Sequence, residues 1–254
     1  SDGSPLTAYD FEYSWKRVLD PDAGSETAYT LYGVIKNGYE CYVSKTVAVD
    51  DLPIRALDDT TFQVELKAPA SYFITLTAST AFMPVCKANV EKYGNDWVNT
   101  PETYVCNGPY TITEWTPSEK IVCKKNENYK GGWDSSKIVN DKLTFLLLED
   151  SSASYTAYTG GTAQLIKDVP TEEIPTLKKD KKDEFNVDPI LGTYYLSMNL
   201  NKAPFNNKNV RKALSLAIDR DYVANTVMQG TYTPAYNYVG TGVDDVDPGK
   251  FLEN

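Results

Sequence analysis

The sequence predicts an α/β protein with a β-rich segment ahead of its α/β body. Three observations carry this. Stretches with helical periodicity and stretches with strand alternation follow one another along the chain. A near-continuous apolar run, Leu143–Leu148, is bounded by charges, as in a strand buried on both faces. From that run onward the chain reads strand, helix, strand, helix. With 254 residues it is long enough to bury a substantial core, as one large domain or two to three small ones.

Thr7 opens the first helix. Asp10 stands three residues on in a capping-box pattern, and Phe11, Trp15 and Val18 fall on one face before Asp20-Pro21-Asp22 ends the helix. A tyrosine-rich helix is expected over Ala28–Asn37, stopped by Gly38. Ile54–Leu57 and Thr61–Leu66 read as short strands around an Asp58-Asp59 turn, the second with Phe62, Val64 and Leu66 alternating. Short helices are expected over Ala70–Ala78 and Lys87–Tyr93, the latter closed by Gly94.

The texture changes near Cys86. Asn107-Gly108-Pro109 is a turn, and Tyr110–Trp115 and Lys120–Lys125 are strands joined by Thr116-Pro117-Ser118-Glu119. After Leu143–Leu148 come a helix near Ser151–Thr159, a strand at Ala163–Ile166 and a helix after Pro170. A further strand is expected at Tyr194–Asn199, then helices over Asn209–Ile218 and Arg220–Met228. The mixed-sign cluster from Lys178 to Glu184 reads as a solvated loop.

Composition removes several functions. A net charge of −10 speaks against nucleic acid, because phosphate contacts need clustered Lys and Arg. The chain has no His, so the commonest general base and metal ligand are missing and a Ser-His-Asp triad cannot form within it. Acidic pairs at Asp50-Asp51, Asp58-Asp59, Glu149-Asp150 and Asp244-Asp245 could supply two carboxylates for glycoside hydrolysis. All sit at expected turns or strand ends, where acids serve as caps and solvation. Neither a Walker loop nor a GxGxxG segment occurs, and catalysis is not expected. No run approaches the roughly 18 apolar residues of a membrane span. Cys41, Cys86, Cys106 and Cys123 lack the close pairing of zinc sites, and three disulfide pairings are open to them. A Cys106–Cys123 bridge across a hairpin stands beside free buried thiols, and the spacing selects neither. Tyr is the dominant aromatic, 19 against 8 Phe and 4 Trp, which suits wet binding surfaces as well as cores.

Three blocks, in order, carry a resemblance. The first runs from Ser1-Asp2-Gly3-Ser4-Pro5-Leu6-Thr7-Ala8-Tyr9-Asp10-Phe11 through Tyr13-Ser14-Trp15-Lys16-Arg17. The second joins Asn107-Gly108-Pro109-Tyr110 with Trp115, Asn126 and Tyr129. The third begins at Asp188-Pro189 and Tyr194-Tyr195, with Asn199 and Pro204-Phe205-Asn206, and continues through Val210-Arg211, Ala213-Leu214 and Ile218-Asp219-Arg220. Together they resemble the oligopeptide- and dipeptide-binding family (family 5) of extracellular solute-binding proteins of ABC importers.

The resemblance implies a periplasmic-binding-protein-like fold (class II, cluster C type) with mixed sheets and helices, of which this chain is the central part. It implies that residues 1–85 form the small second domain, 86–190 the central segment of a discontinuous first domain, and 191–254 the truncated start of a third. It implies capture of an extended peptide between domains, delivery to permease subunits, no cofactor, a monomer, and an extracytoplasmic location, either in the periplasm or on the outer face of the membrane through an upstream lipid anchor. Within the family pattern, Thr193, Tyr194 and Tyr195 begin the third-domain strand. Thr27 takes a position where a cleft Tyr is usual, with Tyr29 standing in two residues on. Ser79 aligns with a cleft-lining position, and Lys167 and Asp168 lie where the first domain approaches ligand. Relatives with the same fold that bind nickel, haem or sugars keep the ligand class open.

Overall fold

The computed structural model describes residues 1–130, 139–181, 183–188 and 190–240. Lys182, Pro189, Asp244 and Asp245, named above, lie outside the described residues. The chain divides into two compact units, Ser1–Leu147 and Leu148–Asn254.

The first unit is built on helix α1 (Ala8–Val18). The Asp10 carboxylate accepts the Thr7 N–H at 2.8 Å and completes the expected capping box. Trp15 is 4% exposed and heads a core cluster with Leu19, Leu31, Ile35, Leu52, Ile54 and Phe82. Ser14, also buried, donates to the Asp10 carbonyl and accepts the Val85 N–H at 2.8 Å, which fastens the chain beyond Phe82 to α1.

Of the expected Ala28–Asn37 helix only the short α2 (Tyr29–Tyr32) forms, and a second short helix, α3 (Gly38–Tyr42), follows it, so Gly38 begins a helix rather than ending one. Tertiary pairing explains the break. Ile35 bridges Leu66, the Lys36 N–H donates to Glu65 and the Lys67 N–H to Val34, so this β-branched pair is drawn into sheet-like bonding. Asn37 turns the chain at φ 63°, and a Cβ at Gly38 would lie 2.8 Å from Tyr32 Cα.

Strands β1 (Ile54–Ala56) and β2 (Phe62–Val64) form the predicted antiparallel hairpin. Asp58 closes its turn by accepting from the Thr60 and Thr61 N–H groups. The helix expected over Ala70–Ala78 is the single turn α4 (Phe73–Leu76), while α5 (Lys87–Tyr93) has its predicted bounds.

Glu12 ties α1 to β1. Its carboxylate accepts from Lys16 Nζ at 2.7 Å and from the Ala56 N–H at 2.7 Å. Burial works against the charge, but these donors outweigh it and hold the carboxyl below its ordinary range. Its stabilisation is therefore full above the ordinary carboxylate pKa and is lost as pH falls through the lowered folded value. Glu12→Gln is expected to cost about 1 kcal/mol at pH 7. The gap between variant and parent urea midpoints should shrink at pH 4, and an unchanged gap would refute the account.

A three-stranded antiparallel sheet completes the unit: β3 (Tyr110–Thr116), β4 (Lys120–Lys125) and β5 (Lys142–Leu146), in that order. A bulge between Ile112 and Glu114 shifts the β3–β4 register. The expectation that Leu143–Leu148 is buried on both faces is corrected: among the described residues β5 pairs with β4 alone, and Phe145 and Leu148 are 54% and 42% exposed.

The second unit contains α6 (Ser151–Thr159), α7 (Ile174–Asp180), α8 (Lys208–Leu216) and α9 (Arg220–Tyr222), the last continuing as a wider turn to Val227. Helix α7 takes up Lys178, Lys179 and Asp180, so the start of the supposed loop is helical. Ile174, Leu177 and Ala224 are buried, and Lys178 Nζ donates to the Gln229 carbonyl at 2.6 Å. Neither Ala163–Ile166 nor Tyr194–Asn199 forms a strand. Leu165, Tyr194 and Leu196 are 88%, 87% and 67% exposed, as expected where apolar alternation has no ladder to join.

Candidate functional site

The residues picked out in the sequence fall into both units. In the first, Thr27 and Tyr29 lie at the entry to α2 and are exposed. Thr27 is a turn residue here: its carbonyl accepts from the Thr30 N–H and hydroxyl, and its own hydroxyl bonds to that of Ser25. Tyr29 leaves its ring in solvent. Ser79 is half-buried and begins the 3-10 turn Thr80–Phe82, its carbonyl accepting the Phe82 N–H. Helix α2 packs against that same turn, so Tyr29 and Ser79 belong to adjoining elements.

In the second unit, Lys167 and Asp168 are exposed, just ahead of the buried Pro170. Thr193 is half-buried, while Tyr194 and Tyr195 stand out in solvent. Tyr195 meets Tyr238 edge to face, with ring centroids 5.0 Å apart and planes at 65°. The polar influence of the neighbouring Tyr195 phenol pushes the Tyr238 phenol above its ordinary range. A Cβ at Gly240 would lie 3.8 Å from Thr193 Oγ1, so the 238–240 backbone runs beside 193–195. The neighbouring Tyr236 is occupied elsewhere: its hydroxyl donates to Asp221 at 2.7 Å, which raises that phenol as well. The sequence reading missed Tyr238, and the dense spacing of Tyr232, Tyr236 and Tyr238 is the one signal that pointed toward it.

The acidic pairs have structural duties where they are described. Asp58 closes the β1–β2 turn, and Asp150 caps α6 by accepting the Ala153 N–H at 2.7 Å. Asp50 and Asp51 sit in a 3-10 turn. All four cysteines are free thiols. Burial pushes the Cys41 and Cys123 thiols up, Cys41 donates to the Leu19 carbonyl, and Cys106 donates to the Tyr110 carbonyl. Cys41 and Cys123, buried and raised, lack the exposed, low-pKa character of a nucleophilic thiol.

Several residues of the three resemblance blocks do structural work. Trp15 Nε1 donates to the Phe82 carbonyl at 2.9 Å. Asn126 binds the Gly108 carbonyl through its side chain at 2.8 Å. Arg211 donates to the Phe205 carbonyl, Arg220 to Ser215, and Asp219 caps α9.

Comparison with known proteins agrees with this arrangement over nearly the whole chain. The periplasmic oligopeptide-binding protein OppA of Salmonella typhimurium is 41% identical over 240 residues, covering 94% of this chain and 43% of its own. The structure of the Escherichia coli murein tripeptide binding protein MppA superposes with a TM-score of 0.87 at 35% identity, over 95% of this chain and 46% of that one. Haemophilus influenzae OppA in complex with the peptide RPPGFSPFR gives a TM-score of 0.84 at 34% identity, over 94% of this chain and 46% of its own. The chain thus spans a little under half the length of these relatives. The profile of bacterial extracellular solute-binding proteins, family 5 Middle, matches residues 1–252, and the chain belongs to that family.

Proposed function

We propose that this chain works within the substrate-binding component of an ABC importer, which captures extended peptides outside the cytoplasm and hands them to permease subunits in the membrane. The observation that carries this is the family match over residues 1–252, together with a relative whose structure holds the nonapeptide RPPGFSPFR. In this reading residues 1–85, 86–190 and 191–254 contribute to three successive domains. Thr27, Tyr29, Ser79, Lys167, Asp168, Thr193, Tyr194 and Tyr195 face the ligand. Backbone hydrogen bonds common to all peptides supply affinity, and side chains are received with little discrimination. Ligand bridging favours the closed arrangement of domains by its differential affinity for it. The component is a monomer tethered by a lipid anchor or free in the periplasm. It performs no catalysis and uses no cofactor.

Calorimetry of the whole protein tests the reading, using a mixed tri- to pentapeptide pool in one arm and oligosaccharides in the other. Heat from the peptides with no new products is expected. Cleavage of the sugars, or binding of sugars alone, would overturn it.

A further inference from the structure

The exposed phenols of Tyr194, Tyr195 and Tyr238 are this unit's most conspicuous polar-aromatic feature. Tyr194 is 87%, Tyr238 69% and Tyr195 57% exposed. Exposed tyrosines normally sample several rotamers, and a ring that is to meet a ligand loses that freedom on binding. Tyr195 is spared part of that loss. The Tyr238 ring meets it at 5.0 Å and 65°, the edge-to-face geometry that aromatic quadrupoles favour. The backbone at Gly240 runs beside Thr193, so the contact joins two lengths of chain and not two isolated side chains.

We infer that Tyr238 is a positioning residue for peptide capture, holding the Tyr195 ring in the orientation in which it meets the ligand. The inference rests on the peptide-binding reading above. Its chemistry follows from the pair. Each phenol carries an O–H donor and acceptor lone pairs at the tip of an apolar ring. The pair therefore presents hydroxyl donors and acceptors beside an aromatic face, which suits a main-chain amide flanked by an arbitrary side chain. It does not suit a phosphate, for which the pair supplies no cationic donor.

A double-mutant cycle in the whole protein tests it, with RPPGFSPFR as the probe and affinities measured by calorimetry. Tyr195→Leu and Tyr238→Leu are each expected to weaken binding by about 5-fold, the worth of one aromatic pair. The double variant should lose no more than the weaker single variant, because both substitutions remove the same ring contact. In parallel, tyrosine labelled with 13C at Cζ reads the Tyr238 phenol directly. Its titration should fall back toward the ordinary range in Tyr195→Leu. Independent, multiplicative losses would overturn the positioning role, as would a Tyr238→Leu protein that binds like the parent. A parent protein that binds no peptide would instead overturn the reading beneath it.

Discussion

Replacing Trp15 with alanine is expected to lower the stability of the first unit by about 4 kcal/mol, a large part of a typical domain's total. Three contributions point the same way. The indole is 4% exposed and meets the rings of Phe62 and Phe82 edge to face, each at 4.9 Å. Its N–H is bonded to the Phe82 carbonyl, which alanine would leave without that partner. It also walls an open, mostly apolar pocket of about 460 Å³ with Phe11, Phe73 and Met83, which truncation would deepen. Trp15→Phe separates these effects. It keeps most of the ring contact and loses the N–H, and about 1–2 kcal/mol is expected. Guanidinium unfolding followed by far-ultraviolet dichroism checks both variants. Equal losses would mean that ring volume contributes little and that the packing argument is wrong.

The same residue shows what was legible from sequence. Helix α1 could be read because its cap, its apolar face and its stop all lie within fifteen residues. The bounds of α5 and α6 and the β3–β4 hairpin were legible for the same reason. Where the outcome depended on a distant partner, local pattern misled. The break at Gly33–Asn37 comes from Ile35 pairing with Leu66, thirty-one positions away, and no local propensity records that. Leu143–Leu148 carries the composition of a central strand, yet among the described residues β5 has a neighbour on one side only. Tyr194–Asn199 has strand composition, but a strand exists only through its ladder.

The candidate site was less legible than the fold. Tyr194 and Tyr195 were singled out through family resemblance, since two adjacent tyrosines carry no functional signal by themselves. Tyr238 lies forty-three positions further on and could be joined to Tyr195 only in space. The blocks that identify the family mostly pin backbone: Ser14 to Val85, Asn126 to Gly108, Arg211 to Phe205. A family whose members hold different ligands would be expected to share its scaffold bonds and vary its contacts. The motifs accordingly indicate kinship more clearly than they indicate specificity.

Asn126 makes that separation testable. It is 9% exposed at the end of β4, and two of its bonds hold the Asn107-Gly108-Pro109 turn to the sheet. Its N–H donates to the Pro109 carbonyl at 2.9 Å, its Nδ2 donates to the Gly108 carbonyl at 2.8 Å, and its Oδ1 accepts the Asn128 N–H at 3.1 Å. Alanine keeps the first bond and strands the partners of the other two, and about 2 kcal/mol of destabilisation is expected at pH 7. Aspartate is the sharper probe because it fills the same volume. Its carboxylate still accepts from Asn128 but turns an oxygen, in place of the donor, toward the Gly108 carbonyl at a poorly hydrated site. About 3 kcal/mol is expected at pH 7, more than for alanine. Burial and that opposed carbonyl raise the folded-state pKa of the introduced acid above its unfolded value. Protonation therefore favours the fold and restores a donor, so the deficit relative to the parent should shrink as pH falls through the raised value. Denaturant midpoints of parent, Asn126→Ala and Asn126→Asp at pH 7 and pH 5 decide the matter. If the aspartate deficit stays constant between them, the side chain is not facing Gly108, and the motif's place in the scaffold has to be sought elsewhere.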